Sequence, residues 1–410
     1  MTGISPQAVR HALLTRAEIA IVDLRSEHVF AQDHPLFAAQ LPVDRIPVEA
    51  GARLPRKTTT IVLYDDGEGL VAAGEAAFRA LGYTDVRRLE GGLQGWRAAG
   101  FELFRDVNSY SKAFGELVEH RRHTPSLSAE DVHALIEEKA DIAILDARRF
   151  DEYATMSIPT GTSVPGAELV LRARAVAPDP DTLVIVNCAG RTRSIIGTQS
   201  LVNAGLPNRV AALRNGTIGW TLAGQALDTG QQRRAPEVDD AIAGEARRTA
   251  RDVAYRAGVK WIDAKGLAAL AAESTRTLYR FDVGAPEDYA RRHIPGFANA
   301  PGGQLVQETD HFAPVRGARI VLADDLGVRA AMTASWLAQM GWEVYVLDGV
   351  DLFAPGAGAP GPAPRSREGR YKRPYEGTDT PAAAMNAYLE WEYGLVAQLA
   401  RDGSHGFFVI

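Results

Sequence analysis

The fold of this chain is indicated most directly by residues 183–194, which read Leu183-Val184-Ile185-Val186-Asn187-Cys188-Ala189-Gly190-Arg191-Thr192-Arg193-Ser194. The apolar, β-branched run before Cys188 predicts a buried strand, and Ser194 to Leu201 predicts a helix that follows a glycine-containing loop. The sulfur of Cys188 would then lie at the carboxyl end of a strand and face the amino end of a helix. Backbone N–H groups, the helix dipole and the two arginines of the loop favour a thiolate at that position.

The pattern around Cys188 recurs twice elsewhere in the chain. In each copy an apolar run ends in an aspartate and the loop position follows 42 residues later, which gives the pairs Asp23 and Asp65, Asp146 and Cys188, and Asp282 and Asp324. Each copy then has a glycine four residues before an aromatic residue, as in Gly92 and Trp96, Gly216 and Trp220, and Gly349 and Phe353. We expect this glycine to open a turn and the aromatic residue to anchor a short helix in the core. The constant spacing indicates three copies of one structural unit.

The order of elements within a copy predicts the fold class. Strand-like runs alternate with helical stretches, and helix-start signals precede the first strand of each copy at Ser5, Ser128 and Asp263. Alternating strands and helices favour a parallel sheet covered by helices on both faces. The sequence therefore predicts an α/β protein of three tandem α/β/α sandwiches, each with a central parallel sheet, followed by a C-terminal helical tail.

Composition shifts suggest where the units begin and end. We expect units at 1–110, 124–230 and 258–355, with polar boundaries near 110–124 and across 228–257 and a Pro/Gly-rich linker from Ala354 to Arg370. The tail, 371–410, would form a helix with one apolar stripe, made of Met385, Tyr388, Leu389, Val396 and Leu399. We expect this stripe to pack against a neighbouring unit, and a lid or a subunit contact is the alternative.

The composition also limits the partners of the protein. Lys and Arg number 45 against 51 Asp and Glu, a net charge of −6, and a nucleic-acid-binding surface is normally concentrated and basic. No run of roughly 18 apolar residues predicts a membrane span, and the first residues lack the apolar core of a signal peptide. A single cysteine cannot form an internal disulfide, which suits the cytoplasm. Neither a metal-ligand cluster nor a nucleotide-binding glycine pattern occurs, so we expect no cofactor.

The length of the Cys188 loop separates two chemistries that use the same strand-loop-helix arrangement. Cysteine-dependent phosphatases place an arginine six positions after the cysteine, so that the loop surrounds a whole phosphate. Here the sixth position is Ser194, and the arginine comes one place earlier at Arg193. A tighter loop with inward-facing amides suits one sulfur atom carried on Cys188, which favours persulfide chemistry over phosphoester chemistry.

These residues resemble the rhodanese sulfurtransferases, and more closely the multi-repeat rhodanese-like proteins of bacteria. In the middle unit the landmarks are Leu145-Asp146-Ala147-Arg148, Ile158-Pro159, the Cys188 loop and Leu213-Arg214-Asn215-Gly216 with Trp220. The first unit matches through Val22-Asp23-Leu24-Arg25 and Leu89-Glu90-Gly91-Gly92, and the third through Asp282 and His293-Ile294-Pro295-Gly296. The resemblance implies three rhodanese-like units and a catalytic cysteine that cycles through a persulfide.

The resemblance also implies a two-step displacement. Cys188 would attack the outer sulfur of thiosulfate or a similar anionic donor, and cyanide or a thiol, including that of a protein, would then take the sulfur. The residues expected to bind the donor are those of the loop, Ala189, Gly190, Arg191, Thr192, Arg193 and Ser194. Both arginines would bind sulfonate oxygens, Gly190 would let amides turn inward, and Ser194 would cap the helix and donate to the sulfur. Asp146 would fix the loop, and Arg148 is a weaker candidate for substrate contact.

Two departures leave other functions open. Asp65 and Asp324 cannot carry a persulfide, so their units are either scaffold or a cover over the Cys188 pocket. The middle unit has Ser157-Ile158-Pro159-Thr160 where the third has His293-Ile294-Pro295-Gly296, so no histidine is expected beside its site. A non-enzymatic sulfur carrier, redox sensor or protein-binding array is the alternative to a sulfurtransferase. A phosphatase or arsenate reductase of related fold is a third possibility, which the short loop disfavours.

Overall fold

Each of the three repeats contains a sheet of parallel strands. The computed structural model describes residues 2–355 and 370–410, so most of the predicted linker from Ala354 to Arg370 lies outside the described residues. In the first repeat the strands are β1 (Thr2–Ile4), β2 (Ile19–Asp23), β3 (Ala38–Gln40), β4 (Ile61–Tyr64) and β5 (Val86–Leu89). Its helices are α1 (Pro6–Leu14), α2 (Glu27–Phe30), α3 (Ile46–Arg53), α4 (Val71–Ala80) and α5 (Gly92–Ala98). The parallel strands lie in the order β1-β5-β4-β2-β3.

The second repeat has the same arrangement and contains Cys188. Its strands are β6 (Ser126–Leu127), β7 (Ile142–Asp146), β8 (Thr162–Ser163), β9 (Leu183–Asn187) and β10 (Val210–Leu213). Its helices are α7 (Ala129–Glu137), α8 (Phe150–Thr155), α9 (Leu169–Val176), α10 (Thr192–Asn203) and α11 (Gly216–Leu222). The strand order β6-β10-β9-β7-β8 places β9 at the centre of the sheet, where its apolar residues are buried.

The third repeat follows the same order with three additional short strands and one additional short helix. Its strands are β11 (Lys260–Ile262), β12 (Leu278–Asp282), β13 (Arg292–His293), β14 (Ala298–Asn299), β15 (Val315–Arg316), β16 (Arg319–Ala323), β17 (Glu343–Leu347) and β18 (Ala354–Pro355). Its helices are α13 (Ala264–Ala272), α14 (Pro286–Arg291), α15 (Gly302–Gln307), α16 (Thr309–Phe312) and α17 (Arg329–Gln339). The main sheet has the order β11-β17-β16-β12-β14, and β13 pairs separately with β18. The predicted α/β class with parallel sheets is therefore confirmed.

The first and third repeats share a sheet, which the prediction of separate sandwiches did not include. The short strand β15 of the third repeat pairs antiparallel with the beginning of β2, with Val315 opposite Ala20. Nearby, Tyr279 donates from its hydroxyl to the Arg53 carbonyl at 2.7 Å, and Arg53 Nε donates to the His311 carbonyl at 2.8 Å. One large apolar core also extends through all three repeats. The repeats therefore pack as one body.

The two polar segments predicted as boundaries are helices that pack between repeats. The first, α6 (Ser109–Arg122), is buried over most of its length, and only its carboxyl end carries the polar run from His120 to His123. It packs closely against α10: a Cβ added to Gly115 would lie 2.9 Å from Thr192 Cγ2. The second is α12 (Asp240–Arg256), which buries an alanine-rich face. The polar residues at the end of α6 indicated a boundary, and the sequence did not show that the rest of the helix is buried.

The tail forms two helices and not one continuous stripe. These are α18 (Pro381–Tyr393) and α19 (Leu395–Asp402), which meet at Gly394. Tyr388 and Leu389 of α18 are buried against Ile218 of the second repeat. On α19, Leu399 is buried in the large core, and the chain end is held by the Ile410 N–H, which donates to Gln339 Oε1 at 3.0 Å. The predicted helical tail is confirmed, and its apolar face packs on the Cys188-bearing unit.

Candidate active site

Cys188 lies directly after the central strand β9, and its side chain is only 2% exposed. The loop that it begins is held by two amides of α11: the Thr217 N–H donates to the Cys188 carbonyl at 2.9 Å, and the Ile218 N–H donates to the Ala189 carbonyl at 3.0 Å. Gly216 precedes these amides with φ +55°, in the left-handed region that favours glycine. The turn glycine predicted from the repeat therefore has a direct part in shaping the loop.

The helix after the loop begins earlier than predicted. α10 starts at Thr192 with Arg191 at its N-cap position, so Ser194 lies within the helix and the prediction that it caps the helix is wrong. The Ser194 hydroxyl donates to the Arg191 carbonyl at 2.8 Å and accepts from the Cys188 thiol, with 3.5 Å between Oγ and Sγ. Ser194 thus contacts the sulfur as an acceptor, and its expected role as a donor to sulfur stays a prediction.

The corresponding loops of the other two repeats hold a carboxylate on backbone amides. Asp65 Oδ2 accepts from the Leu70 N–H at 2.6 Å. Asp324 accepts from the Arg329 N–H at 3.3 Å and from the Ala330 N–H at 3.1 Å. By the repeat spacing, the amide of Arg193 corresponds to those of Leu70 and Arg329. This loop geometry therefore supplies backbone N–H donors to a carboxyl group at the amino end of a helix.

The guanidinium of Arg191 is held in ion pairs with glutamates of α6. Its guanidinium makes a two-pronged ion pair with Glu116 of α6, with Nε to Oε1 at 2.7 Å and Nη2 to Oε2 at 2.8 Å, and it also pairs with Glu119. The ring of Tyr393 lies 4.1 Å from the guanidinium carbon. Arg191 has a side-chain exposure of 2%. The structure therefore does not present Arg191 as a free cation for sulfonate binding, contrary to what the loop sequence suggested.

Arg193 also lines the cavity beside Cys188 and is paired with a carboxylate. Its Nη1 and Nη2 donate to the two carboxylate oxygens of Glu152 at 2.7 and 3.0 Å. Burial disfavours the charged guanidinium, but attraction to Glu152 and to Cys188 outweighs burial and raises the pKa of Arg193. In return, the pKa of Glu152 falls to about 2, because Arg193 outweighs the effect of burial. Arg193 thus stays cationic next to Cys188.

The other two predicted groups belong to the framework of the loop. Arg148 Nε donates to Asp146 Oδ1 at 2.9 Å and its Nη2 donates to the Met156 carbonyl at 2.6 Å, and the side chain is 2% exposed. The first repeat has the same pair, since Arg25 Nη2 donates to Asp23 Oδ2 at 2.7 Å. Asn187, directly before Cys188, donates from Nδ2 to Asp146 Oδ2 at 3.1 Å, and the expected role of Asp146 in fixing the loop stays a prediction. Arg148 does not line the cavity beside Cys188.

A cavity of about 60 Å³ adjoins Cys188 and is lined by several distant parts of the chain. Of the predicted binding residues, those that line it are Ala189, Gly190, Arg191, Thr192 and Arg193, and Ser194 is not among them. Gly190 has no left-handed φ; a Cβ there would instead lie 3.5 Å from Glu392 Oε2. That distance is an ordinary van der Waals contact, so the prediction that Gly190 lets the loop amides turn inward stays a prediction.

Four charged residues of the cavity were not predicted from the sequence. They are Asp106 before α6, Lys112 of α6, and Arg373 and Glu392 of the tail. The Arg373 guanidinium donates to the Tyr375 hydroxyl at 3.2 Å and pairs with no carboxylate in the described residues. A signal for Glu392 was present, because Glu392 comes four positions after Tyr388 and continues the apolar stripe of α18 as a charged residue. For Arg373 the sequence offered no such periodic signal.

The described part of the chain offers no cluster of three His, Cys, Asp or Glu side chains that could hold a metal ion. Within the same residues, no helix is long and apolar enough to cross a membrane.

Comparison with known proteins identifies the family. The model of the rhodanese-like domain matches residues 6–99, 128–223 and 264–349. A crystal structure of thiosulfate sulfurtransferase from Pseudomonas aeruginosa is 49% identical, covers 100% of both chains and has a TM-score of 0.96. A rhodanese-related protein from Thermoplasma volcanium is 23% identical over 25% of this chain and 97% of its own, with a TM-score of 0.23. A comparison with curated proteins gave no match. The three domain matches and the full-length similarity show that this chain belongs to the rhodanese family and has three rhodanese-like repeats.

Proposed function

We propose that this protein is a sulfurtransferase that moves sulfane sulfur from thiosulfate, or a similar anionic donor, to cyanide or a thiol through a persulfide on Cys188. One observation carries the proposal: the only cysteine occupies the loop position at which the other two repeats hold a carboxylate on helix-end amides. A persulfide anion on Cys188 would occupy the same kind of amide site. The family match and the 49% identical thiosulfate sulfurtransferase support sulfurtransferase activity.

The first step is a displacement at sulfur. The Cys188 thiolate attacks the outer sulfur of thiosulfate, a new S–S bond forms, and the S–S bond of thiosulfate breaks to release sulfite. The electron pair of the broken bond leaves with sulfite, and the outer sulfur keeps the negative charge that it had in thiosulfate, so the persulfide forms as the anion Cys188–S–S⁻. In the second step the acceptor attacks that outer sulfur, the persulfide bond breaks, and Cys188 leaves as the thiolate.

The loop arginines have different roles in this proposal. Arg193 lies beside Cys188 and supplies positive charge to the thiolate and to the persulfide. Arg191 positions the loop through Glu116, so that its contribution to donor binding is indirect. Arg373 brings a guanidinium without a carboxylate partner in the described residues to the same cavity, and we assign it to the sulfonate oxygens of the donor.

Mass spectrometry of the intact protein tests the proposal. After incubation with thiosulfate the protein should gain the mass of one sulfur atom, and cyanide should remove that mass with release of thiocyanate. Cys188→Ser is the control and should show neither change. If the wild-type protein gains no sulfur and forms no thiocyanate, the proposal is wrong.

The non-enzymatic alternative predicts a different time course. A sulfur carrier would load once and keep its sulfur until a dedicated protein partner arrived, whereas an enzyme turns over with a small acceptor. The 2% exposure of Cys188 and the small cavity favour small substrates over a protein surface. Cytoplasmic location remains a prediction that accompanies this proposal.

A further inference from the structure

The carboxylate of Glu392 lines the Cys188 cavity, and only one of its two oxygens accepts a hydrogen bond in the described residues. Its side chain is 2% exposed, and Oε1 accepts a hydrogen bond from the Tyr388 hydroxyl at 3.1 Å. Oε2 is buried and has no hydrogen-bond partner in the described part of the chain. A buried carboxylate oxygen without a partner is costly, so its retention at this position calls for a functional reason.

The free oxygen faces the loop of the reactive cysteine. A Cβ built on Gly190 would lie 3.5 Å from Glu392 Oε2, and Gly190 is only two residues from Cys188. Glu392 and Cys188 also line the same cavity. A substrate that reaches the sulfur of Cys188 therefore lies in a space that Oε2 also borders.

Charged and titratable groups surround this carboxylate. They are Lys112 and Glu116 of α6, Arg191 of the Cys188 loop, and Tyr375 and Tyr388 of the tail. Lys112 is itself drawn towards Asp106, at 2.8 Å between Nζ and Oδ1. Burial is the largest influence and, with the charge of Glu116, it outweighs Lys112 and Arg191 and raises the pKa of Glu392 to about 7. Glu392 can therefore take up and release a proton near neutral pH.

We infer that Glu392 is the general base of the acceptor step, which removes the proton from an acceptor thiol as that thiol attacks the Cys188 persulfide. This inference rests on the proposed function. The thiol proton moves to Glu392 Oε2, and the thiol sulfur bonds to the outer sulfur of Cys188–S–S⁻. The S–S bond to Cys188 breaks, its electron pair returns Cys188 to the thiolate, and the product is R–S–S⁻. Glu392 then gives the proton to water before the next cycle.

The donor step needs no such base, which gives the inference a clear signature. Thiosulfate carries no proton that must leave, and the attacking group in the proposed first step is the Cys188 thiolate. The reverse of the donor step, in which sulfite takes the sulfur back from the persulfide, also needs no base when sulfite is a dianion. Removing the Glu392 carboxylate should therefore slow transfer to thiols and spare transfer to sulfite.

The experiment uses the full chain and measures each half-reaction separately. Wild type and Glu392→Gln are loaded with thiosulfate, freed of excess donor and mixed with 2-mercaptoethanol or with sulfite. Loss of the extra sulfur is then followed by rapid quenching and intact mass. We expect Glu392→Gln to load normally, to transfer to the thiol about 100-fold more slowly and to transfer to sulfite at least as fast as wild type. The wild-type thiol rate should fall as the pH drops below about 7, and this titration should be missing in the variant.

Two further variants keep the test decisive. Glu390→Gln alters an exposed carboxylate on the same helix and should behave as wild type. Glu392→Asp keeps a carboxylate but shortens it, so it should recover part of the thiol rate and keep a pH dependence. If wild type loads but Glu392→Gln transfers sulfur to the thiol at the wild-type rate, the inference is wrong while the proposed function stands. If wild type does not load, the proposed function itself fails.

Discussion

Gly216 lies directly against the carbonyl oxygen of Cys188, and a Cβ added to it would be only 2.2 Å from that oxygen. The first repeat has the same contact, since a Cβ on Gly92 would be 2.6 Å from the Asp65 carbonyl oxygen. Both glycines have φ +55°. The turn after the fifth strand of each of these repeats therefore lies directly against the loop that carries the reactive position, and only glycine allows this approach.

We expect Gly216→Ala to destabilise the fold and to displace the Cys188 loop. The left-handed φ and the clash with the Cys188 carbonyl together should lower the free energy of unfolding by about 2 kcal/mol or more. Persulfide formation should slow as well, because the loop amides move with the carbonyl. Urea unfolding and the rate of sulfur loading measure the two effects.

Gly224→Ala is the matched control for this clash. Gly224 also has a positive φ, of +75°, but a Cβ there meets nothing within 4 Å. Gly224→Ala should lower the free energy of unfolding by only about 1 kcal/mol, the cost of a left-handed backbone for alanine, and should leave the rate of sulfur loading unchanged. Equal effects of the two substitutions on loading would show that the contact with Cys188 is unimportant.

The ion pair between Arg191 and Glu116 should matter more for stability than for donor binding. Arg191→Met leaves the Glu116 carboxylate buried without its main partner, which should cost about 3–5 kcal/mol. The double variant Arg191→Met with Glu116→Met removes both charges and should recover much of that loss. Urea unfolding of the single and double variants measures the coupling. Strictly additive losses would contradict the positioning role assigned to Arg191.

The pair of Glu152 and Arg193 should give a defined acid sensitivity. Glu152 has a pKa of about 2 in the folded protein against an ordinary value of 4.5, so the folded state favours the ionised carboxylate. Its contribution to stability is present above about pH 4.5 and is lost as the pH falls towards about 2. The difference in free energy of unfolding between wild type and Glu152→Gln should therefore be largest near neutral pH and shrink through that acidic range.

Urea titrations at several pH values check this dependence. Glu137→Gln, on the exposed side of α7 in the same repeat, is the control and should track wild type at every pH. A difference between wild type and Glu152→Gln that stays constant from neutral to acidic pH would contradict the ion-pair account.

The sequence was sufficient for the features that local patterns determine. The β-branched run before Cys188 and the 42-residue spacing identified the central strands, the Cys188 loop and the three repeats, because these depend on residues near one another in the chain. The number of residues from Cys188 to Arg193, one fewer than in a phosphate-binding loop, also favoured sulfur chemistry. The start of α10 was missed by two residues, since Thr192 and Arg193 carry no helix-start signal.

The sequence did not reveal contacts between distant segments. β15 is only two residues long and joins a sheet whose other strands lie in the first repeat, so no local periodicity marks it. Arg191 seemed a free cation because its partner Glu116 is 75 positions away. Glu392 and Arg373 reach the cavity through the packing of the tail, which depends on how three repeats and α6 fit together. A charged residue on the apolar face of α18 was the one local sign of this arrangement.

Arg373 should set the affinity for the anionic donor. Its guanidinium lines the Cys188 cavity and has no carboxylate partner in the described residues, unlike Arg191 and Arg193. Because hydrogen bonds to charged groups contribute about 1.5–3 kcal/mol, Arg373→Met should raise the KM for thiosulfate by about tenfold or more. Its neighbour Lys372 is exposed and does not line the cavity, so Lys372→Met is the control and should keep the wild-type KM. Steady-state kinetics over a range of thiosulfate concentrations measure both, with thermal unfolding as a check of the fold. An unchanged KM in a folded Arg373→Met variant would show that Arg373 does not bind the donor, and Arg193 would then be the cation that does.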